Sequence, residues 1–567
     1  MSPSPGVAPY AIGADATPRP VASFAAAALV FFTVLTAAVT YPQVRGMSDH
    51  VADVGDPLLN TWALAWVAHQ LPFAPSHVFD GNIFHPERRT LAYSETLLAP
   101  ALMGAPLLWL GVGPILVYNL LFLGSFVLSG VAMALLVRDL TGQRSAALVA
   151  GTIFAFLPFR FEHYSHFQLL QMQWMPLALW CFHRLLARGQ MRDGVLMGVC
   201  VATQALSSMY NAIFLGAYMA VVGGILLLWT GVSRRRIVLL TASVAVAGVL
   251  MTPAVIAHLR AREVVGERSR GEAELYSAVW TDFLASVPPS TFHGGWSQRF
   301  GGPERRLFPG FVAALLALVA VWPPLSATRV AYAAGALFAA DMARGFNGWT
   351  FGFLYDRLAY LHGLRVPARM GVMVGLSLAV LAGYGVARLR TRLGAGWGVA
   401  LAGVLLGGVL VDSWAPPNLT AVSSEAPAIY DDLLRDKGDP PRVTMIRQPS
   451  DPAPAVLLEL PLHASPTYMY YSTFHWQTLV NGYSGFFSDR YLDFGRQIER
   501  FPDEQARRAM IPLGVRYVVV HGEQMSERDY ERIVSALDGM APEFRIVNRR
   551  SWMDHEISLY RFTPETR

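Results

Sequence analysis

The run VASFAAAALVFFTVLTAAVT, residues 21–40, holds twenty residues without a charge. Wound as a helix at about 1.5 Å per residue, it covers the roughly 30 Å of hydrocarbon in a bilayer. It is too long for the apolar core of a signal peptide, and similar runs follow it, so it reads as a retained first span. Apolar runs recur at about 114–137, 145–159, 174–188, 194–208, 211–230, 237–258, 309–323, 328–344, 366–388 and 396–412, roughly eleven in all. The composition agrees. Of 567 residues 53% are hydrophobic and only 15% charged, where soluble domains carry about 25% charged residues; the mean hydropathy is +0.36.

The net charge of +5 does not point to nucleic acid, because the basic residues fall in short loops between apolar runs, where topology accounts for them. RDLTGQR (138–144), ARGQMR (187–192), SRRR (233–236), the turn at Arg329 and ARLRTRLG (387–394) alternate with the other connections. The positive-inside rule places them in the cytoplasm together with the N-terminus. The connections 41–95, 160–173, 259–308 and 345–365, and everything after about 412, then face outward. The segment LLAPALMGAPLLWLGVG (97–113) is apolar, short and broken by Pro100 and Pro106. If it spanned, every later arginine loop would change sides, so it reads as a re-entrant or interfacial helix of an outer loop 41–113. Residues 1–20, rich in Pro and Ala, read as a disordered cytoplasmic N-terminus. The two cysteines, Cys181 and Cys200, sit inside apolar runs and give neither a disulfide framework nor a CxxC metal motif.

Residues 413–567 change character. PAVLLELPL, VRYVVVH, FRIVNRR and EISLYRF have the β-branched and aromatic content of strands. SSEAPAIYDDLLRD and SDRYLDFGRQIERF read as helices opened by Ser caps. A mixed α/β domain outside the membrane follows. The fold class is therefore an α-helical polytopic membrane protein of about 11 transmembrane helices, residues 21–412, with a C-terminal extracytoplasmic α/β domain.

Four places carry residues suited to chemistry. DVGDPLLNTWALAW (53–66) puts Asp53 and Asp56 in the first outer loop, close to Asp49 and His50. Asp56 before Pro57 is a common helix opening, with Asp at the N-cap and Pro at the first helical position. Leu58, Leu59, Trp62, Leu64 and Trp66 would then make an amphipathic helix at the membrane interface. A cap alone leaves Asp53 without a reason, so a catalytic or metal-linked role stands beside it. FRFEHYSHFQLLQMQW (159–174) crowds Arg160, Glu162, His163 and His166 between two apolar runs. In a helix both histidines and Arg160 share a face, a substrate-pocket pattern more than a metal site. HGLRVPARM (362–370) sets Arg365 and Arg369 on the outward side against the charge bias, where guanidinium forks can grip a phosphate; they can equally snorkel to lipid headgroups. HLRAREVVGERSR (258–270), Arg299, Arg305 and Arg306 are weaker versions of the same pattern. TYMYYSTFHWQ (467–477) and NGYSGFF (481–487) are dense in aromatics that suit sugar rings, bilayer docking or a small core. No Walker A loop, GxSxG or HExxH is present. The energy for a synthesis outside would have to arrive stored in a lipid-linked donor.

The segment GDPLLNTW…DGNIFHPERRTLAYSE…LVRDLTG…AALVAGTIFAFLPFR, with VNGYSGFF and LGVRYVVVHG near the end, resembles polyprenyl-phosphate-dependent type C (GT-C fold) membrane glycosyltransferases, in a bacterial branch similar to membrane proteins that glycosylate envelope polymers. The resemblance implies a sugar moved from a polyprenyl-phosphate donor to an acceptor hydroxyl on an envelope glycan, lipid or protein, at the outer face of the inner (cytoplasmic) membrane. It implies an acidic residue of the first outer loop as general base, a place that Asp56 matches and that Asp53 contests, since the paired acids of better-known members are absent. Partial desolvation there would raise the carboxyl pKa and suit it to that work. Arg365, Arg369 or Arg160 would be phosphate ligands, with His163 and His166 lining the pocket. It fixes no cofactor and leaves a divalent metal ion open. The alternative is a non-catalytic transporter or assembly component for lipid-linked envelope glycans. A transporter favours charges near span centres and inverted repeats, whereas this chain keeps its charges in loops and at span ends. An envelope sensor would leave the acidic cluster of the first loop unexplained.

Overall fold

The computed structural model describes residues 21–393, 395–439 and 453–564; the N-terminal segment 1–20 lies outside them. All eleven apolar runs fold as helix. Six helices are long and apolar enough to cross a membrane: Val21–Val39, Pro114–Thr141, Arg144–Glu162, Met209–Thr230, Arg234–Val265 and Pro367–Leu393. The other five runs lie in the helices Trp174–Arg188, Met191–Ser207, Phe311–Val321, Ala327–Ala343 and Ala395–Ser413. Leu98–Trp109, within the run broken by prolines, is a helix of 12 residues, about 18 Å long.

Contacts divide the chain into two compact units. The first runs to Arg45 and takes in Phe122–Thr252 and Glu267–Asn418. Its helices approach at small residues, as membrane helices do where van der Waals packing drives association. A Cβ on Gly385 would stand 2.2 Å from the Leu316 carbonyl oxygen, and one on Gly198 would stand 2.4 Å from that of Ser243. The core gathers Met133, Phe154, Leu179, Tyr218, Leu316 and Leu376 among many others. Within it the Tyr218 and Ser377 hydroxyls pair at 2.6 Å.

The second unit comprises Gly46–Leu121, Pro253–Gly266 and Leu419–Arg567. All four strands read from the sequence form, as Val456–Leu460, Val515–His521, Phe544–Trp552 and His555–Phe562, and Thr478–Leu479 adds a short fifth. The first runs parallel to Val515–His521 and to Thr478–Leu479, while His555–Phe562 lies antiparallel between Val515–His521 and Phe544–Trp552. The crossover back to Thr478–Leu479 is the helix Ser465–His475, as parallel strands require. Ser488 caps Asp489–Gln497 by accepting from Tyr491 N. The helix Ile429–Lys437 starts after Ala428 without a side-chain cap, and Ser423 closes a turn on Glu425 N instead.

At the carboxyl end of the parallel strands His521 is buried between two carboxylates, with Nε2 2.6 Å from Glu459 and Nδ1 3.0 Å from Glu523. Burial alone would lower its pKa, but the two hydrogen-bonded carboxylates override it and raise the value to about 9. The folded state therefore holds a proton that the unfolded chain, at about 6.5, gives up earlier. This stability is complete below pH 6.5 and is lost as the pH rises through about 9, a loss on the order of 3 kcal/mol. Hydrogen exchange of strand 515–521 in the full-length protein, corrected for intrinsic pH dependence, should show protection falling over that window. Flat protection would contradict the pairing.

Candidate functional site

Residues of the connection 41–95 and the aromatic C-terminal segment meet inside the second unit. Residues 82–85 run beside 479–481, with Leu479 N donating to Asn82 O at 2.8 Å, Phe84 N to Asn481 O at 3.0 Å and His85 N to Leu479 O at 3.0 Å. Asn82 also donates to Gln477 O at 2.8 Å and accepts from Trp62 Nε1 at 2.9 Å. The helix Asp56–Gln70 packs against the helices Leu98–Trp109 and Ser465–His475. Residues 57–69 are buried all the way round, so the expected amphipathic interfacial helix is corrected: its covering is protein. Trp62 and Trp66 stack on each other, and Trp66 donates to Val78 O rather than to headgroups. Trp476 stacks on His69 at 4.1 Å, while Tyr468, Tyr470 and Tyr471 are buried. Most of the aromatic segment is core.

The helix cap is also corrected. Gly55 stands at the N-cap and Asp56 in the first helical turn, with no side-chain capping bond. Asp53 makes the local turn, accepting from Gly55 N at 2.8 Å. The Asp56 carboxylate accepts the Tyr483 hydroxyl at 3.0 Å and is only partly buried. A Cβ on Gly55 would lie 3.2 Å from the Asp53 carboxylate and 3.7 Å from the Tyr483 oxygen. The three polar side chains therefore converge on one glycine. A negative group in the first turn also gains from the helix dipole.

A second cluster lies in the first unit and centres on Glu304, which the sequence reading passed over. Glu304 sits at φ +68° in the loop between the helices Gly294–Ser297 and Phe311–Val321. Its carboxylate is 3.0 Å from His163 Nε2 and 3.8 Å from His166 Nε2. Arg369 donates to both its oxygens, through Nε at 2.8 Å and through Nη2. His163 Nδ1 faces the Phe159 carbonyl at 2.9 Å, so the ring meets an acceptor on each side. Glu304 N donates to Glu162, which takes Arg306 at 3.0 and 3.1 Å. Burial works against the Glu304 charge, but the His163 hydrogen bond and the Arg369 cation hold its carboxyl far below the usual range. His166 is pushed down to about 3 by burial, then by Arg369 and His163; it is neutral near pH 7.

The histidines meet through a turn and not through one helix face: His163 ends the helix Pro158–Glu162 and His166 precedes Phe167–Leu170, with rings 5.6 Å apart. Pro367 opens the turn into the helix Gly371–Leu393, as the sequence indicates. Arg369 lies 5.2 Å over the Tyr210 ring and Arg365 5.5 Å over Tyr276. Arg268 joins them electrostatically: the charges of Arg365 and Arg369, behind burial as the first cause, lower its pKa. Arg160 stands apart, fully buried, donating to Ser125 and Ser129 at 2.7 and 3.1 Å with its guanidinium 3.8 Å over Phe126. Among the described residues no three His, Cys, Asp or Glu side chains converge to hold a metal ion.

No protein-family model matches the chain, and no curated protein matches it. Among solved structures it is similar to the cryo-EM structure of the arabinofuranosyltransferase AftD from Mycobacteria, with a TM-score of 0.56 and 16% identity over 97% of this chain. The chain spans 40% of that protein's length. The crystal structure of an oligosaccharyltransferase from Archaeoglobus fulgidus aligns at a TM-score of 0.46, 14% identity, 91% of this chain and 71% of the other. AglB from the same organism, in complex with an inhibitory peptide and a dolichol-phosphate, aligns at 0.45, 14%, 94% and 74%. The likeness to the arabinofuranosyltransferase, with the six long apolar helices, makes this chain a multi-pass membrane protein of the type C (GT-C) glycosyltransferase fold.

Proposed function

We propose that the chain is a glycosyltransferase of the cytoplasmic membrane, crossing it with all eleven apolar helices, N-terminus inside and C-terminal region outside. It moves a hexose or pentose from a polyprenyl-phosphate donor to an acceptor hydroxyl on an envelope glycan, lipid or protein. The observation that carries this reading is the Asp56 carboxylate, which is not used to cap its helix and is aimed by the Tyr483 hydroxyl. Asp56 takes the proton of the acceptor hydroxyl as its oxygen attacks the anomeric carbon. The bond from that carbon to the phosphate oxygen breaks, and polyprenyl phosphate leaves with the electron pair. A single displacement of this kind inverts the anomeric centre.

Arg365 and Arg369, in the first unit, carry the charge that suits a phosphate. Glu304 orients Arg369, and His163 and His166 line the same place. Arg160 is the least suited of the proposed ligands, because both its terminal nitrogens are taken by serines. Among the described residues no three acidic, histidine or cysteine side chains gather to hold a divalent ion. The test is a mass profile of lipid-linked sugars and envelope glycans in a deletion strain complemented at equal protein level with wild type or Asp56→Asn. Loss of one sugar increment in the deletion and in Asp56→Asn, with its lipid donor accumulating, is the expected result. Full rescue by Asp56→Asn would move the transporter or assembly reading ahead.

A further inference from the structure

The helix Arg234–Val265 begins with three successive arginines and has no acidic residue in its first turn. Cations are disfavoured there by the positive end of the helix dipole. Arg236 resolves its own case by folding back to donate to the carbonyls of Thr230, Gly231 and Leu186, helix-end acceptors that a cation suits. Arg234 and Arg235 find no such acceptor among the described residues. They line a cavity of about 410 Å³ together with Gly189, Met191, Val238 and Leu239. Arg188 and Arg192 flank it on the same connection, and all four of these arginines are exposed. The neighbouring acid, Asp193, is buried and faces Arg184.

The other wall of the cavity is apolar. It is formed by Met191, Val238 and Leu239, and Val195, Leu196 and Ile237 on the same two helices, Met191–Ser207 and Arg234–Val265, are further exposed hydrophobics. These two helices close against each other just beyond the cavity, where Gly194 meets Leu239 and Gly198 meets Ser243. The cavity thus joins a cationic mouth to an open apolar seam. A soluble anion needs only the first; an amphiphile uses both.

We propose that this cavity binds the headgroup of an anionic phospholipid, with its phosphate between Arg234, Arg235 and the first backbone N–H groups of the helix. An acyl chain follows the seam along Val238 and Met191. The site is independent of the transferase reading and lies on a different set of residues.

Native mass spectrometry of the full-length protein in detergent, titrated with phosphatidylglycerol or phosphatidylcholine, tests it. Wild type should bind phosphatidylglycerol at least roughly tenfold more tightly, and the double variant R234Q/R235Q should lose that preference. V238D, which puts a carboxylate into the same cavity and leaves the arginines in place, should lose it too. R516Q/R528Q, charge-matched and remote in sequence, should keep it. Equal affinity for the two lipids in wild type overturns the site, whatever the variants do. So does loss of the preference in R516Q/R528Q, or its retention in both cavity variants. Displacement of bound phosphatidylglycerol by a large excess of inorganic phosphate would assign the cavity to free phosphate and overturn the lipid.

Discussion

Asp56→Asn is expected to slow sugar transfer by about 10²–10⁴-fold, the usual contribution of a positioned general base, with little change in protein level. Asparagine keeps the shape and the oxygen that accepts the Tyr483 hydroxyl, so the contact at 3.0 Å survives. What it lacks is basicity. Asp53→Asn should behave differently, because the Asp53 oxygen accepts from Gly55 N and the asparagine oxygen can do the same. Its rate should stay within a few-fold of wild type. Tyr483→Phe removes one donor to a carboxylate, which is worth about 1.5 kcal/mol and corresponds to roughly a tenfold effect on rate. Initial rates of the purified protein with a defined polyprenyl-phosphate sugar separate the three. If Asp53→Asn shows the large loss and Asp56→Asn does not, the two carboxylates exchange roles. If neither does, the base lies elsewhere.

What the sequence disclosed, and what it hid, follows from the range of the interactions. The apolar runs are local signals, and all eleven fold as helix. The strands at 456–460, 515–521, 544–552 and 555–562 were legible in their β-branched content, which describes a half-buried pleated surface. Burial of the helix Asp56–Gln70 was not legible, since its apolar residues serve equally against lipid or against protein. What decides is the helix Ser465–His475, about 400 residues away. The same distance hid Tyr483, which is 427 residues from Asp56. The arginines and histidines of the second cluster could be nominated because each breaks a local pattern. Glu304 breaks none, lying in a polar loop among Arg299, Arg305 and Arg306. The available clue was charge balance: a buried Arg369 requires an anion.

Glu304→Gln is therefore expected to lower the stability of the full-length protein by roughly 3–5 kcal/mol, the cost of stripping one partner from a buried ion pair. Arg369 keeps 8% and His163 only 1% of their side-chain surface exposed, so neither can turn to water for compensation. Because the Glu304 carboxyl is held far below its ordinary range, its stabilisation is present above the unfolded value of about 4.3 and is lost only as the pH falls through the depressed one. The difference between wild type and variant should thus narrow in strong acid. A second substitution distinguishes charge from packing: Glu304→Gln combined with Arg369→Met removes both partners and should recover much of the loss, since replacing a buried pair with apolar groups is often neutral. Thermal unfolding in detergent reads all three. A Glu304→Gln protein as stable as wild type would mean that water already screens Arg369, and that the cluster is a surface feature with no claim on the fold.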